Sequence, residues 1–286
     1  MPTVEPVSPA LGARVTDVDL SQELTERQWE EIREAFHRHS VLVFPGQTLS
    51  IEDQKRFSRR FGDLLVHEHL LPMTVEGYPE CMRLHNDADN PPGLNTWHTD
   101  NSGWPDPPLG TVLYAKTTPA IGGDTLFSNM YLAYEKLSPP MQEMLGRLTA
   151  THDAKKAFGE DYPELGEMLK KKSIEVDERF GGGKAVHHPI IRTHPETKRK
   201  ALYISAPYVT SIDGLSAAEG RAILDFLYRH IETNEFVYRH RWQPGDLLIW
   251  DNRCLQHYAV ADYHPHERLM YRMNILRGEE GRWTTS

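Results

Sequence analysis

The chain has 286 residues, of which 39% are hydrophobic and 26% charged, a composition typical of a soluble globular protein. With 41 acidic and 32 basic residues the formal net charge is −9, which argues against a nucleic-acid binder or a basic membrane-surface protein. The 2 cysteines are too few for a disulfide framework, a zinc ribbon or an iron–sulfur cluster, whereas histidines number 15. Any bound metal therefore needs imidazole and carboxylate ligands.

The start of the chain, residues 1–6, shows neither the basic region nor the apolar run of a secretory signal. No segment approaches the roughly 20 apolar residues that span a bilayer. We therefore expect a reduced, cytoplasmic setting, in which Cys81 and Cys254 are free thiols that pack as small apolar residues.

Helix starts are predicted in chain order from N-capping patterns. They are residues 25–28, Ser50, Ser138 before Pro139, and residues 216–219. The first and last have the spacing of a capping box, and the apolar residues that follow recur at helical intervals. We also expect residues 130–183 to form a helical insert.

Strands are predicted where β-branched, aromatic and aliphatic residues concentrate, at 111–116, 201–205, 246–250 and 268–276. Helices and strands do not alternate regularly, which argues against a parallel α/β fold. We expect a single α+β domain over residues 1–286, with an antiparallel barrel or jelly roll at its centre and helices around it.

A first metal-binding candidate is the pair His98 and Asp100. Residues i and i+2 of a strand point to the same face, so one strand end can offer a nitrogen and an oxygen to one ion. The pattern alone is weak, because His85 and Asp87 share the same spacing in a segment that resembles a loop. A solvated strand end is the alternative.

The last predicted strand alternates Arg268, Met270, Arg272 and Asn274 with apolar residues. Periodicity alone favours a solvated arginine face. The alternative is a polar barrel interior in which both guanidinium groups bind anions. Their Cα atoms would lie about 13 Å apart, which suits two anions on either side of one metal.

The chain resembles the taurine dioxygenase family of iron(II)- and 2-oxoglutarate-dependent oxygenases. The match consists of ordered motifs at 97–100, 122–126, 187–189, 192–195, 241–246, 249–253, 256–259 and Arg268. It extends from about residue 12 to about residue 278. His-x-Asp, a distant histidine and an arginine eleven positions later form a specific combination.

The resemblance implies a double-stranded β-helix (jelly-roll) core and iron ligands at His98, Asp100 and His257, which leave positions for 2-oxoglutarate and O2. It implies that 2-oxoglutarate chelates iron through its keto-acid end and that its distal carboxylate contacts Arg268 and Thr125. The implied reaction is oxidative decarboxylation to succinate and CO2, coupled to hydroxylation of a substrate carbon. Trp250 is expected near the iron as a wall of the site.

The resemblance also places the acidic head of the substrate on Arg272, four positions beyond the cosubstrate arginine. In the family a histidine of a loop near the start of the chain also binds this acidic head. Here that histidine is His67 or His69, and His67 is preferred. Asn95 is a further candidate contact if its loop shifts. Residues 66–95 form the candidate lid over the site.

The family's polar contacts to the taurine amine are replaced by Gly93 and Leu94. We therefore expect a small organic acid with an apolar body, such as a sulfonate, a sulfate ester or an aryloxyalkanoate or other carboxylate, with taurine itself as the alternative. A zinc hydrolase and a non-enzymatic anion-binding jelly roll are remoter alternatives. Relatives are commonly oligomers, which predicts a homo-dimer or homo-tetramer.

Overall fold

The computed structural model describes residues 1–66, 68–93, 95–158, 166–167, 169–170 and 184–276. Helices there include α1 (Glu26–His39), α2 (Ile51–Arg59), α3 (Met130–Glu135), α4 (Pro139–Leu145) and α5 (Ala217–Ile231). Short 3-10 helices span Glu68–Met73, Ala154–Phe158 and Asn234–Phe236.

The predicted helix starts are confirmed. Reciprocal capping boxes at Thr25, Ser50 and Ser216 satisfy the first backbone N–H groups of α1, α2 and α5. Before α4, Ser138 is the N-cap residue and proline occupies the first turn, but the Ser138 side chain forms no capping hydrogen bond.

The strands are β1 (Thr3–Pro6), β2 (Ala13–Thr16), β3 (Val41–Phe44), β4 (Thr74–Val75), β5 (Tyr78–Asn86), β6 (Gly110–Thr117), β7 (Thr125–Asn129), β8 (Thr149–His152), β9 (Val186–Pro189), β10 (Ile191–Thr193), β11 (Lys200–Leu202), β12 (Val209–Ile212), β13 (Val237–His240), β14 (Leu247–Asp251), β15 (Leu255–Ala259) and β16 (Arg268–Ile275). The largest sheet has the order β1-β2-β3-β14-β6-β16-β5-β4. Smaller sheets have the orders β13-β7-β15, β12-β8-β9 and β10-β11.

The eight-stranded sheet is covered on both faces. On one face, Ile32 and Phe36 of α1 and Phe57 of α2 pack on buried residues of the sheet. On the other face, Phe127 of β7 and Leu255 of β15 pack against residues of β3, β6, β14 and β16. The space between this sheet and the β13-β7-β15 sheet is therefore filled by apolar side chains.

Two predicted inserts contain strands. Residues 66–95 include β5, which pairs with β16 from Arg268 opposite Asn86 to Arg272 opposite Met82. The centre of the candidate lid 66–95 therefore belongs to the main sheet. Residues 130–183 contain β8, which pairs with β9 and β12, so this insert is not wholly helical. Much of its remainder lies outside the described residues.

The helices of the described ranges are short: α5, with 15 residues, is the longest. Across those ranges, no helix combines the length and apolarity required to span a membrane.

Candidate active site

Backbone pairing brings His98 and His257 side by side. His98 lies just before a turn, and His257 lies in the middle of β15. Each donates its backbone N–H to the other's carbonyl, at 3.0 and 2.9 Å, in an isolated antiparallel bridge. The centroids of the two imidazole rings are consequently only 4.1 Å apart.

Asp100 completes a three-residue cluster. Its Oδ1 lies 3.7 Å from His98 Nε2 and 3.8 Å from His257 Nε2. The three residues are 5–7% exposed. Metal bonds to such ligands are about 2.1 Å long, so one ion can reach two donors separated by up to about 4.2 Å. The geometry therefore suits a single ion held by two imidazoles and one carboxylate.

The histidines are in the state that binds metal. His98 Nδ1 lies 2.9 Å from the carbonyl of Thr96, to which it donates when Nε2 carries the lone pair. Burial lowers the pKa of both imidazoles, that of His257 to about 3, which keeps them neutral at physiological pH. The Nδ1 of His257 is buried without a hydrogen-bond partner in the described structure.

Asp100 remains ionised. Its burial acts to raise the pKa, but the adjacent imidazoles of His257 and His98, the positive charge of Arg272 and a hydrogen bond from Thr111 outweigh burial and hold the pKa of this carboxyl well below its usual range. Two neutral nitrogens and one carboxylate form the donor set that non-haem iron(II) oxygenases use, so these residues fit iron.

Arg268 begins β16 and is 6% exposed. Its guanidinium carbon lies 5.9 Å from the Trp242 ring centroid and 5.8 Å from that of Tyr263. It forms no ion pair with any residue that the structure describes, and burial lowers its pKa. A buried cation without a carboxylate is costly unless an anion binds it.

Thr125 faces the same region from the start of β7. Its Oγ1 accepts a 2.9 Å hydrogen bond from the indole N–H of Trp242. The preceding turn depends on Gly123, at φ +71°, because an added Cβ would lie 3.3 Å from the Arg268 side chain and 3.2 Å from Tyr263. The glycine thus allows the turn to approach the arginine closely.

Arg272 lies on the face of β16 that carries Arg268. Its Nη1 is 3.9 Å from Asp100 Oδ1, and its Nη2 donates to the sulfur of Met82 at 2.9 Å. Met270 and Asn274, on the same alternation, are fully buried. The prediction of a solvated arginine face, which periodicity favoured, is therefore wrong. This face of β16 lies against the protein interior and the His–Asp–His cluster.

The other predicted substrate contacts are His67, His69 and Asn95. His67 and Leu94 lie outside the described residues. His69 belongs to the 3-10 helix Glu68–Met73. Asn95 is exposed. His85, in the second His-x-Asp pattern, contacts Glu267 at 3.0 Å.

A second cluster, His194, Asp251 and Cys254, also has ligand spacing. Arg253 already occupies it: Arg253 donates to both oxygens of Asp251, at 2.8 and 2.7 Å, and His194 contacts the same carboxylate at 3.0 Å. This cluster is a satisfied ion-pair network.

Sequence reasoning missed Trp242, Tyr263 and Thr111. Trp242 stands within the 241–246 motif, which offered a signal. Thr111 is an ordinary residue of a predicted strand, and only the fold brings it to 2.6 Å from Asp100.

Comparisons with known proteins agree with this geometry. The model of the taurine catabolism dioxygenase TauD, TfdA family matches residues 3–274. The chain belongs to the taurine dioxygenase family. It is 32% identical over 275 residues to the alpha-ketoglutarate-dependent sulfate ester dioxygenase of Pseudomonas putida, covering 95% of this chain and 88% of that protein.

A second family member, the alpha-ketoglutarate-dependent 2,4-dichlorophenoxyacetate dioxygenase of Cupriavidus pinatubonensis, is 35% identical over 268 residues, 88% of this chain and 90% of that protein. Among solved structures, a taurine dioxygenase from Burkholderia xenovorans matches with a TM-score of 0.81 at 30% identity, covering 99% of this chain and 93% of that one. AAD-2, solved with Mn(II) and N-oxalylglycine, matches with a TM-score of 0.78 at 27% identity, over 99% and 100% of the two chains.

Proposed function

We propose that this protein is an iron(II)- and 2-oxoglutarate-dependent dioxygenase that uses O2 to hydroxylate a small organic acid and releases succinate and CO2. The observation that carries the proposal is the strand β16, which presents two arginines on the face that adjoins a buried His–Asp–His cluster. Two anion sites beside one metal site suit a reaction that couples the oxidation of one acid to the hydroxylation of another.

His98, Asp100 and His257 would hold the iron, which when bound supplies the activation of O2 and the redox chemistry of decarboxylation. Arg268 neutralises the distal carboxylate of the cosubstrate, and Thr125 can donate its hydroxyl hydrogen to it because the indole N–H of Trp242 already uses the hydroxyl as an acceptor. These groups fix the cosubstrate's orientation before O2 arrives.

Arg272 binds the acidic head of the substrate. Because Arg272 lies next to Asp100, the acidic head and the carbons closest to that head would lie near the His–Asp–His cluster. Trp250 and Phe127 pack against the ring of His257, at centroid distances of 4.8 and 6.4 Å, and keep that side of the site free of water.

The expectation that the substrate has an apolar body agrees with an apolar cluster next to Arg272. Met82, whose sulfur contacts Arg272, belongs to it together with Met73 and Leu169, with Leu70 and Leu84 packed alongside. Residues of the 3-10 helix, of β5 and of the 130–183 insert therefore meet beside the substrate arginine. Thioether side chains adapt to varied apolar shapes. Relatives named for sulfate esters and for 2,4-dichlorophenoxyacetate fit such a site.

Succinate release across a panel of alkyl sulfates, alkylsulfonates, aryloxyalkanoates and taurine tests the substrate class. We expect turnover of acids with an apolar body to exceed that of taurine. Strong turnover of taurine alone would instead favour a true taurine dioxygenase. Activity that persists without O2 and 2-oxoglutarate would favour a zinc hydrolase, and anion binding unaffected by chelators would favour a non-enzymatic binding protein.

The finer architecture belongs to the same proposal. The eight-stranded sheet and the β13-β7-β15 sheet, packed face to face, would form the jelly-roll core of one domain. Residues 66–95, with β5 at their centre, stay the candidate lid. A cytoplasmic setting and a homo-oligomer stay predictions from the sequence.

A further inference from the structure

A chain of buried side chains runs behind the proposed metal ligands. Its members are at most 2% exposed and come from β14, the turn that follows it, β6 and β16. They are Trp250, Asn252, Thr111 and Asn274. One end of the chain packs against His257 and the other end donates to Asp100.

The direction of the first hydrogen bonds is fixed by Trp250. An indole N–H can only donate. It donates to Asn252 Oδ1 at 3.1 Å. The amide of Asn252 is therefore oriented with its nitrogen towards Thr111, where Nδ2 donates to Oγ1 at 3.2 Å.

Thr111 passes this direction on to the carboxylate. Its Oγ1 also accepts from Asn274 Nδ2 at 2.8 Å, so both acceptor positions of the hydroxyl are filled. Its single hydrogen is left for Asp100 Oδ2, 2.6 Å away. Asn274 Nδ2 lies 3.3 Å from the same oxygen.

The two oxygens of Asp100 are thereby distinguished. Oδ2 receives the hydrogen bonds of Thr111 and Asn274, whereas Oδ1 faces the Nε2 atoms of His98 and His257. A carboxylate that used both oxygens on one ion would occupy a position that the cosubstrate or O2 needs.

We propose that Thr111 and Trp250 are positioning residues that restrict Asp100 to binding metal through Oδ1 alone. The inference rests on the proposed function. Trp250 restrains two ligands at once, since its ring packs on His257 and its N–H orients the chain that ends at Asp100. Residues behind a metal ligand typically change affinity or activity by about 10- to 100-fold when they are replaced.

The test is an anaerobic titration of the iron(II) protein with 2-oxoglutarate, followed by its visible charge-transfer band, beside a separate titration of metal affinity. We expect Thr111→Val to raise the Kd for 2-oxoglutarate about tenfold or more while metal affinity falls less. Thr111→Ser, which keeps the hydroxyl, should stay within about twofold. Trp250→Phe, which keeps the packing on His257 but loses the N–H, should raise the Kd about two- to fivefold.

Thr149→Val is the matched control. Thr149 donates to the carboxylate of Asp213 at the same 2.6 Å, but it lies on β8, in another sheet. Its loss should leave the 2-oxoglutarate Kd unchanged. A crystal structure of Thr111→Val with Mn(II) should place both oxygens of Asp100 on the metal.

Several results would overturn the inference. They are a 2-oxoglutarate Kd for Thr111→Val within twofold of the wild type, a Thr111→Ser variant as weak as Thr111→Val, or a single Asp100 oxygen on the metal in the variant structure. If Thr111→Val does not fold, Trp250→Phe decides, and an unchanged Kd overturns the proposal. A wild-type protein that gives no band would instead reject the proposed function itself.

Discussion

Replacing Arg268 with methionine tests how the protein holds the distal carboxylate of 2-oxoglutarate. Methionine keeps an unbranched apolar side chain but removes the guanidinium, whose carbon lies 5.9 Å from the ring centroid of Trp242 and 5.8 Å from that of Tyr263. Removing one partner of a buried ion pair costs about 3–5 kcal/mol. At about 1.4 kcal/mol per factor of ten, the Kd for 2-oxoglutarate should rise by roughly two to nearly four orders of magnitude.

The assay is the anaerobic charge-transfer titration, carried out with 2-oxoglutarate and with pyruvate. Pyruvate offers the same keto-acid chelate but has no distal carboxylate. Its Kd should therefore be nearly the same in the wild type and in Arg268→Met. The ratio of the two affinities, rather than either value alone, reports the arginine's interaction.

The same substitution should not destabilise the protein without ligand. In the described structure Arg268 is buried and has no carboxylate partner, so methionine removes an uncompensated charge. We expect an unfolding free energy equal to or above that of the wild type in urea titrations. A 2-oxoglutarate Kd within tenfold of the wild type, or an equal loss of pyruvate binding, would refute the reasoning.

Three further predictions concern other groups. Arg272→Ala should leave the 2-oxoglutarate band intact but abolish the change that substrate binding causes in it, and loss of the band itself would contradict the separate roles of the two arginines. Trp242→Phe removes the N–H that orients Thr125, so the 2-oxoglutarate Kd should rise about two- to fivefold while that of pyruvate is unchanged. Burial and the charge of Arg192 hold the pKa of His188 at about 4, so it stays neutral in the folded protein where the unfolded chain, with a pKa near 6.5, takes up a proton. The unfolding free energy should therefore fall by up to about 3 kcal/mol as the pH drops from 6.5 to 4. Urea titrations at several pH values should show that the unfolding free energy of His188→Gln depends less steeply on pH than that of the wild type. An equal dependence on pH would contradict this prediction.

Short-range features of the fold were predictable because they depend on neighbouring residues. The helices α1, α2 and α5 begin at their predicted N-caps. The strand at 268–276 was recognised from its alternation, and the family from ordered motifs. Its membership and its reaction class are confirmed by the comparisons.

Long-range pairings were not predictable in the same way. The sequence did not indicate that β5 pairs with β16. Gly77 and Pro79 interrupt the segment that contains β5, and such residues are typical of a loop. The burial of the arginine face of β16 depends on which side of the eight-stranded sheet is covered by the β13-β7-β15 sheet. Thr111 and Asp100 are separated by 11 positions, and Asn274 and Asp100 by 174, so no local pattern joins them. The roles of the site residues stay predictions.

The pairing of β16 on both sides has a consequence for regiochemistry. Because β5 and β6 both pair with the strand, we expect the spacing between Arg268 and Arg272 to stay the same whatever acid is bound. The oxidised carbon should then be selected by its distance from the acid group, counted outward from the head, and not by the length of the tail. Product analysis over a homologous series of alkyl sulfates should find hydroxylation at the same carbon in every member, so that chain length alters affinity without moving the point of attack.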